Sequence, residues 1–278
     1  MHIYKDPLAD YKITALSDLF EPLARKLGYR TLTDHVHEVL FAYIFYDAIY
    51  RLSGAISPSI SKAYRSLNHR TQINYDIHVT SMVNCLLLLA ISFPLFNDPV
   101  LSLDKVSSYT PYAGFVTAVS CGYFLWDSVI CLRYIRSFGP GFAVHGVAAL
   151  FVFAQSFRPY ILFYAPHFLM FELSTPFLNV HWFATHLPAG LVPSWIVTIN
   201  GLFLMLTFFS ARIAWGFYQA FYFALEVFST KNLKVVPLWL PVTIVASNVL
   251  LNILNIYWFN KMVRLATKRF SGSKEHKE

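Results

Sequence analysis

A single imidazole in an apolar stretch is the first residue with chemistry to offer. His145 sits in Gly141-Phe142-Ala143-Val144-His145-Gly146-Val147-Ala148. A neutral imidazole in a dry setting can act as a base or as an acyl-accepting nucleophile, and equally as a hydrogen-bond partner for a neighbouring helix. Ser156 follows eleven residues later, three helical turns on, and is expected to share the face of His145. Glu172 and Arg212 each lie in apolar surroundings. A carboxyl or guanidinium at membrane depth needs a partner or a cavity, so Glu172 is expected to meet Arg212 or His145. Asp127, His167 and Asn179 join the polar residues expected to line such a cavity. Asn248, Asn252 and Asn255 recur at i, i+4 and i+7, which makes one polar stripe inside the bundle, expected to line the cavity or to hydrogen-bond to neighbouring helices.

Other chemistries find no pattern here. The sequence has no HExxH and no multi-His set, and Cys85, Cys121 and Cys131 lack CxxC spacing. Neither a metal site nor a cofactor is therefore expected. A phosphate-cradling glycine loop and a GxSxG elbow are also missing.

The elements that must position these residues follow from composition. Of 278 residues only 13% are charged, while 56% are hydrophobic and 18% aromatic. A soluble domain carries roughly 25% charged residues, which it needs to cover its core. Such apolar content also excludes disorder, and 11 Gly and 3 Cys exclude collagen-like and disulfide-rich classes. Charge-free stretches cover 77–97, 106–126, 137–157, 173–211 and 235–260. They are continuous rather than alternating, and a helix needs about 20 such residues to cross a bilayer. The fold class is therefore all-α and polytopic, with about seven spans near 36–56, 73–96, 111–135, 140–157, 159–183, 194–224 and 237–263. In the first, Asp47 and Arg51 stand one turn apart and neutralise each other. The fifth carries Glu172 between Pro166 and Pro176, which predicts a kink or two half-helices.

Residues 1–34 mix charged and apolar types, fitting an interfacial helix or a solvated tail, and lack the form of a signal peptide. Residues 35–63 hold the first span and its connection, 64–268 the main domain, and 269–278 a C-terminal tail, read as disordered from Ser271. Lys and Arg are more numerous on the side that holds the C-terminus, which predicts that this side is cytosolic. The net charge of +7 flanks the spans, so it suits anionic headgroups rather than nucleic acid.

Several segments, in order, resemble a known family. They are Tyr64-Arg65-Ser66-Leu67, Gly122-Tyr123-Phe124-Leu125-Trp126-Asp127, His145, and Glu172-Leu173-Ser174-Thr175-Pro176-Phe177-Leu178-Asn179 with Trp182. Arg212 and the run from Leu251 to Phe259 complete the set. Together, over about 64–268, they resemble the TLC domain shared by ceramide synthases and translocating-chain-associated proteins. The resemblance implies a six-helix barrel around a polar cavity, preceded by an extra helix, in the endoplasmic reticulum or a related membrane. In ceramide synthases the signature runs through a paired His, a Ser, an Arg-x-Gly, a His-Asp pair and a later Asp. Here His145 matches the first His and Gly146 replaces the second. Ser156 keeps its interval, Pro159-Tyr160 follow Arg158, and Glu172-Leu173 stand roughly where His-Asp would. The Glu-x-Ser-Thr-Pro-Phe-x-Asn stretch is more similar to the non-synthase branch.

Three functions follow as expectations. The first is lipid homeostasis, by binding, sensing or moving a membrane lipid in the cavity. The second is an acyltransferase using acyl-CoA as substrate, with His145 as nucleophile or base and Glu172 orienting it. The third is a secretory-cargo or translocon partner. The sequence sets no oligomeric state and leaves open whether any reaction is catalysed.

Overall fold

A computed structural model describes residues 4–188, 190–234 and 236–275, and it is helical throughout, with no strand among them. The longer helices are α1 (Thr14–Leu27), α2 (Leu32–Ile60), α3 (His69–Ser92), α4 (Pro111–Arg133) and α5 (Pro140–Ala154). They are followed by α6 (Thr175–His186), α7 (Ser194–Phe208), α8 (Trp215–Val227) and α9 (Trp239–Glu275). Local chemistry sets their starts. The Asn68 side chain accepts the Thr71 N–H to open α3, and the Thr110 hydroxyl accepts the Ala113 N–H above Pro111 to open α4. Gly139, at φ +90°, turns the chain before Pro140 begins α5.

Among the described residues, 6 helical stretches are long and apolar enough to cross a membrane. They are Leu32–Ile60, His69–Asn97, Pro111–Arg133, Pro140–Phe157, Ser194–Val227 and Trp239–Lys268. The stretch expected as a fifth span is built differently. It is a chain of short pieces, Leu162–Tyr164, Ala165–Leu169 and Met170–Ser174, ending in α6. Pro166 and Pro176 fall in the first turns of Ala165–Leu169 and α6, where a missing N–H is harmless, and so they restart helices rather than kink one. The pieces run antiparallel to α3 along its length. His167 packs on Phe96 at one end, Asn179 meets His78 and Ser81 further along, and Phe183 packs on Tyr75 near the other end.

Helix α4 is the buried centre, with α2 on one side and α5 on another. Lipid supplies no hydrophobic drive between helices, so close approach through small residues must hold them together. Gly114, Ala118 and Gly122 recur every four residues along α4. A Cβ on Gly122 would stand 2.5 Å from the Ala42 Cβ and 2.7 Å from the Val39 carbonyl oxygen of α2. Two hydroxyls on α4 are satisfied within the helix: Thr117 donates to the Ala113 and Gly114 carbonyls, and Ser120 to that of Val116.

The N-terminal region forms a helix rather than a tail. Gly28, at φ +73°, ends α1, and the Tyr29 N–H returns to the Ala24 carbonyl. The Ser17 hydroxyl donates to the Thr33 carbonyl, tying α1 to the start of α2, while Leu19 and Leu23 stay exposed on its other face. At the opposite end α9 continues as helix to Glu275, through residues expected to be a tail from Ser271, and 276–278 lie outside the described residues.

The α2–α4 contact yields a direct test. Gly122→Ala drives a methyl into backbone atoms and should destabilise the protein by about 1–3 kcal/mol or more. Gly141→Ala, where nothing lies within 4 Å, should be neutral or stabilising by about 0.5–1 kcal/mol. Thermal unfolding of the two variants in one detergent measures the difference.

Candidate functional site

One large cavity, of about 640 Å³, opens among α3, α4, α5, α6, α7 and α9. It occupies the half of the bundle where α3 and α5 begin and α4 and α9 end. Its walls include Ile77, Phe124, Phe142, Leu204, Met205 and Phe208. Its polar groups are His78, Ser81, Tyr123, Asp127, His145, Glu172, Asn179, His181, Arg212 and Lys261. Apolar walls with a few convergent polar groups are the composition of a ligand site.

Arg212 is the most unusual group. It is buried, and it sits in a π-helical stretch, Phe209–Ala214, between α7 and α8. The wider turn shifts the register there, as π-bulges at functional sites often do. Nε donates to the Phe171 carbonyl and to the Ser174 hydroxyl, both at 3.0 Å, and one terminal nitrogen donates to the Thr175 hydroxyl at 3.1 Å. The guanidinium also lies 5.1 Å from the centre of the Phe208 ring. All these partners are uncharged. Among the described ion pairs none joins Arg212 to Glu172, although both line the cavity.

A polar ladder joins α3 and α6, beginning one turn beyond Thr175. His78 Nδ1 donates to the Asn179 side-chain oxygen at 2.7 Å, and Asn179 Nδ2 donates to the Ser81 hydroxyl at 3.3 Å. The His78 ring stacks on Trp182 at 4.4 Å, and Trp182 stacks on His186 at 4.5 Å. These bonds fix α6 against α3 and set the cavity's width. His145 stands on α5 beside Trp258 of α9, with ring centres 5.5 Å apart. Asp127, one wall further, accepts the Cys131 S–H at 3.6 Å. Lys261 is exposed, which puts its ammonium at the mouth, while Arg212 is at the buried end.

The structure brings His145, Glu172, Asp127, Asn179 and Arg212 to this one cavity. Five other expected residues lie elsewhere. Helix α5 ends at Ala154, so Ser156 falls in a 3₁₀ turn and is buried away from the cavity rather than on the face of His145. His167 is packed between the rings of Phe96 and Trp215, and its Nδ1 donates to the Phe163 carbonyl. Asn248, Asn252 and Asn255 are buried inside the bundle, where Asn252 donates to Asn248, and α9 reaches the cavity one or two turns later through Trp258 and Lys261. Asp47 and Arg51 pair at 2.5 Å as their spacing predicts.

Sequence reasoning passed over His78, His181, Tyr123, Trp182 and Lys261 as site residues. The histidines carried a signal, being ionisable groups within spans, but nothing in the sequence ranks them above His167. Lys261 read as a flanking charge because it follows the last charge-free stretch.

Membrane-crossing helices arranged about a polar cavity define a polytopic, all-helical membrane protein. The TLC domain family profile matches residues 74–264, and the chain belongs to the TLC domain family. An uncharacterized TLC domain-containing protein of Schizosaccharomyces pombe is 37% identical over 94% of this chain and 89% of its own length. Topoisomerase I damage affected protein 4 of Saccharomyces cerevisiae is 30% identical over 84% of this chain and 85% of its own. TLC domain-containing protein 4 of Homo sapiens is 27% identical, covering 85% and 89% respectively.

The geometry explains why a second His is missing beside His145. A Cβ on Gly146 would lie 2.8 Å from the Asp127 carboxylate and 3.1 Å from the Ser128 hydroxyl. This position packs α5 onto α4, and a larger residue there would displace Asp127.

The Arg212 clamp is testable. Lysine cannot bridge Phe171, Ser174 and Thr175 at once. Arg212→Lys should lower stability by about 1–3 kcal/mol, read as a lower unfolding temperature, and Ser174→Ala should lower it less.

Proposed function

We propose that this protein binds a membrane lipid in the cavity and acts in lipid homeostasis by sensing or moving it. The carrying observation is Arg212, a buried cation at the cavity's inner end whose hydrogen bonds go to uncharged oxygens. Those partners satisfy its hydrogen bonds but not its charge, and an unneutralised cation at membrane depth is unfavourable unless an anionic group joins it. The headgroup of an amphipathic lipid supplies one, while its chains follow Phe124, Leu204, Met205 and Phe208. Lys261 at the mouth adds a second cation for a phosphate or carboxylate, and Asp127 and Glu172 suit an amine or hydroxyl. The volume fits this role, since small-molecule sites span about 300–1,000 Å³. An endoplasmic reticulum or related membrane, with the C-terminal side and the cavity mouth cytosolic, completes the proposal.

Acyl transfer from acyl-CoA is the second reading, supported by His145 and Glu172 lining one cavity. Binding is preferred to it for two reasons. Among the described hydrogen bonds none orients His145 through Glu172 or Asp127, and Ser156 stands outside the cavity. A general base needs such an orienting group.

The test is thermal stabilisation of the detergent-purified chain by added lipids, with Gly201→Trp as the blocked form. Gly201 lines the cavity, and a Cβ added there would stand 3.6 Å from the His181 ring, so a far larger indole must fill the space. A phospholipid should raise the unfolding temperature of the native chain and leave the blocked form unmoved. Equal shifts in both, or none in either, would sink the reading. Acyl-CoA-dependent product lost in His145→Ala would favour the second.

A further inference from the structure

The N-terminal segment folds back on α2 and buries a cluster that the cavity does not use. His35 and Glu38 stand one turn apart on α2, and Asp6 reaches them from the segment before α1. Their side chains are 1%, 0% and 5% exposed. His35 Nδ1 lies 2.8 Å from Glu38 Oε2 and 3.7 Å from Asp6 Oδ2. One donor atom from each residue lies within 4.8 Å of the other two.

His35 Nδ1 and Glu38 Oε2 are hydrogen-bonded to each other, a bond that an ion bound between them would replace. Glu38 Oε1 is fully buried and has no hydrogen-bond partner. Asp6 Oδ1 accepts the Leu8 N–H at 2.8 Å, which leaves Oδ2 for the cluster. The nearby Lys12 is engaged outside with Asp34 at 2.6 Å. Among the described ion pairs no Lys or Arg meets Asp6 or Glu38. Two carboxylates side by side in a dry pocket need a cation between them or a proton on one.

We propose that Asp6, His35 and Glu38 bind a divalent transition-metal ion, with Zn²⁺ the best match to one imidazole and two carboxylates. Ligand atoms around a tetrahedral zinc, at about 2.0–2.1 Å from it, are about 3.3 Å apart. The 2.8 Å and 3.7 Å separations bracket that spacing. His35 binds through Nδ1, and its Nε2–H donates to the Tyr109 oxygen at 2.7 Å. An outer hydrogen bond of this kind fixes the tautomer of metal-binding histidines. Gly114 of α4 makes room for the ring, since a Cβ there would sit 2.2 Å from His35 Nε2. His37 Nε2 donates to the Leu8 carbonyl at 3.0 Å and holds the segment over the site. The three ligands leave a fourth position for water, and the ion staples the N-terminal segment to the first long helix.

Metal analysis and zinc titration of the full chain, purified without chelators, decide the matter. About one equivalent of zinc per chain should be retained. After chelator stripping, ZnCl₂ at about a hundredfold excess over Kd should raise the unfolding temperature by about 5 °C or more. Asp6→Asn and Glu38→Gln should abolish both effects, and Tyr109→Phe should weaken zinc binding at least tenfold. Asp6→Asn alters a loop residue and keeps the test valid if Glu38→Gln fails to fold. Absence of retained metal and of any zinc shift in the native chain would overturn the proposal. So would equal shifts in the native chain and Asp6→Asn. A Glu38→Gln form more stable than the native chain, with zinc inert in both, would mean that a shared proton does the work instead.

Discussion

Everything in this molecule hangs on how closely α4 approaches its neighbours. In a bilayer, helices gain nothing by hiding apolar surface from lipid, so contact must come from dispersion between backbones brought near. Gly122 allows the α2 backbone to touch α4, Gly114 accepts the His35 ring, and Gly146 lets α5 press against Asp127. The same contacts position two separate sites. One end of α4 supplies Tyr123, Asp127 and Cys131 to the cavity, and the other supports His35 in the N-terminal cluster. A methyl group at the centre of this helix would disturb both.

The cavity exists because the remaining walls cannot close on α4. The segment before α6 is a succession of short turns, and its carbonyls are available to a guanidinium rather than to a continuing helix. Arg212 takes one of them, the Ser174 hydroxyl beside it, and the Thr175 hydroxyl at the start of α6. That arrangement joins the π-helical turn to the broken strip beside α3, with space left between them. Polar groups gathered there are unfavourable in a bilayer, which is why they cluster in one place and why a ligand there is physically sensible.

Much of the fold was legible because lipid imposes simple rules. Charge-free runs of sufficient length gave the spans, and Pro166 and Pro176 marked the one that is not continuous. The candidate site was legible only in part. Ionisable residues within spans pointed to His145, Glu172, Asp127 and Arg212, but periodicity assumed that α5 continues to Ser156, and it ends two residues sooner. The asparagine stripe on α9 shows the same limit: regular spacing puts Asn248, Asn252 and Asn255 on an inward face without saying whether helix or cavity lies there. The Asp6–His35–Glu38 cluster was illegible for a different reason. Its members are separated by a helix and a turn, and only the fold-back of residues 4–13 joins them. Motif spacing reads ligands on one element and misses those that tertiary structure assembles.

The central claim is that a lipid headgroup occupies the polar cavity. The most direct measurement is photolabelling of the full chain in membranes, using a lipid with a diazirine next to its headgroup and peptide mapping by mass spectrometry. The account predicts adducts on cavity residues such as Trp182, Met205 and Trp258, removed by excess unlabelled lipid. Labelling confined to outward-facing residues such as Leu206, Phe221 and Ile253, and insensitive to competitor, would contradict it.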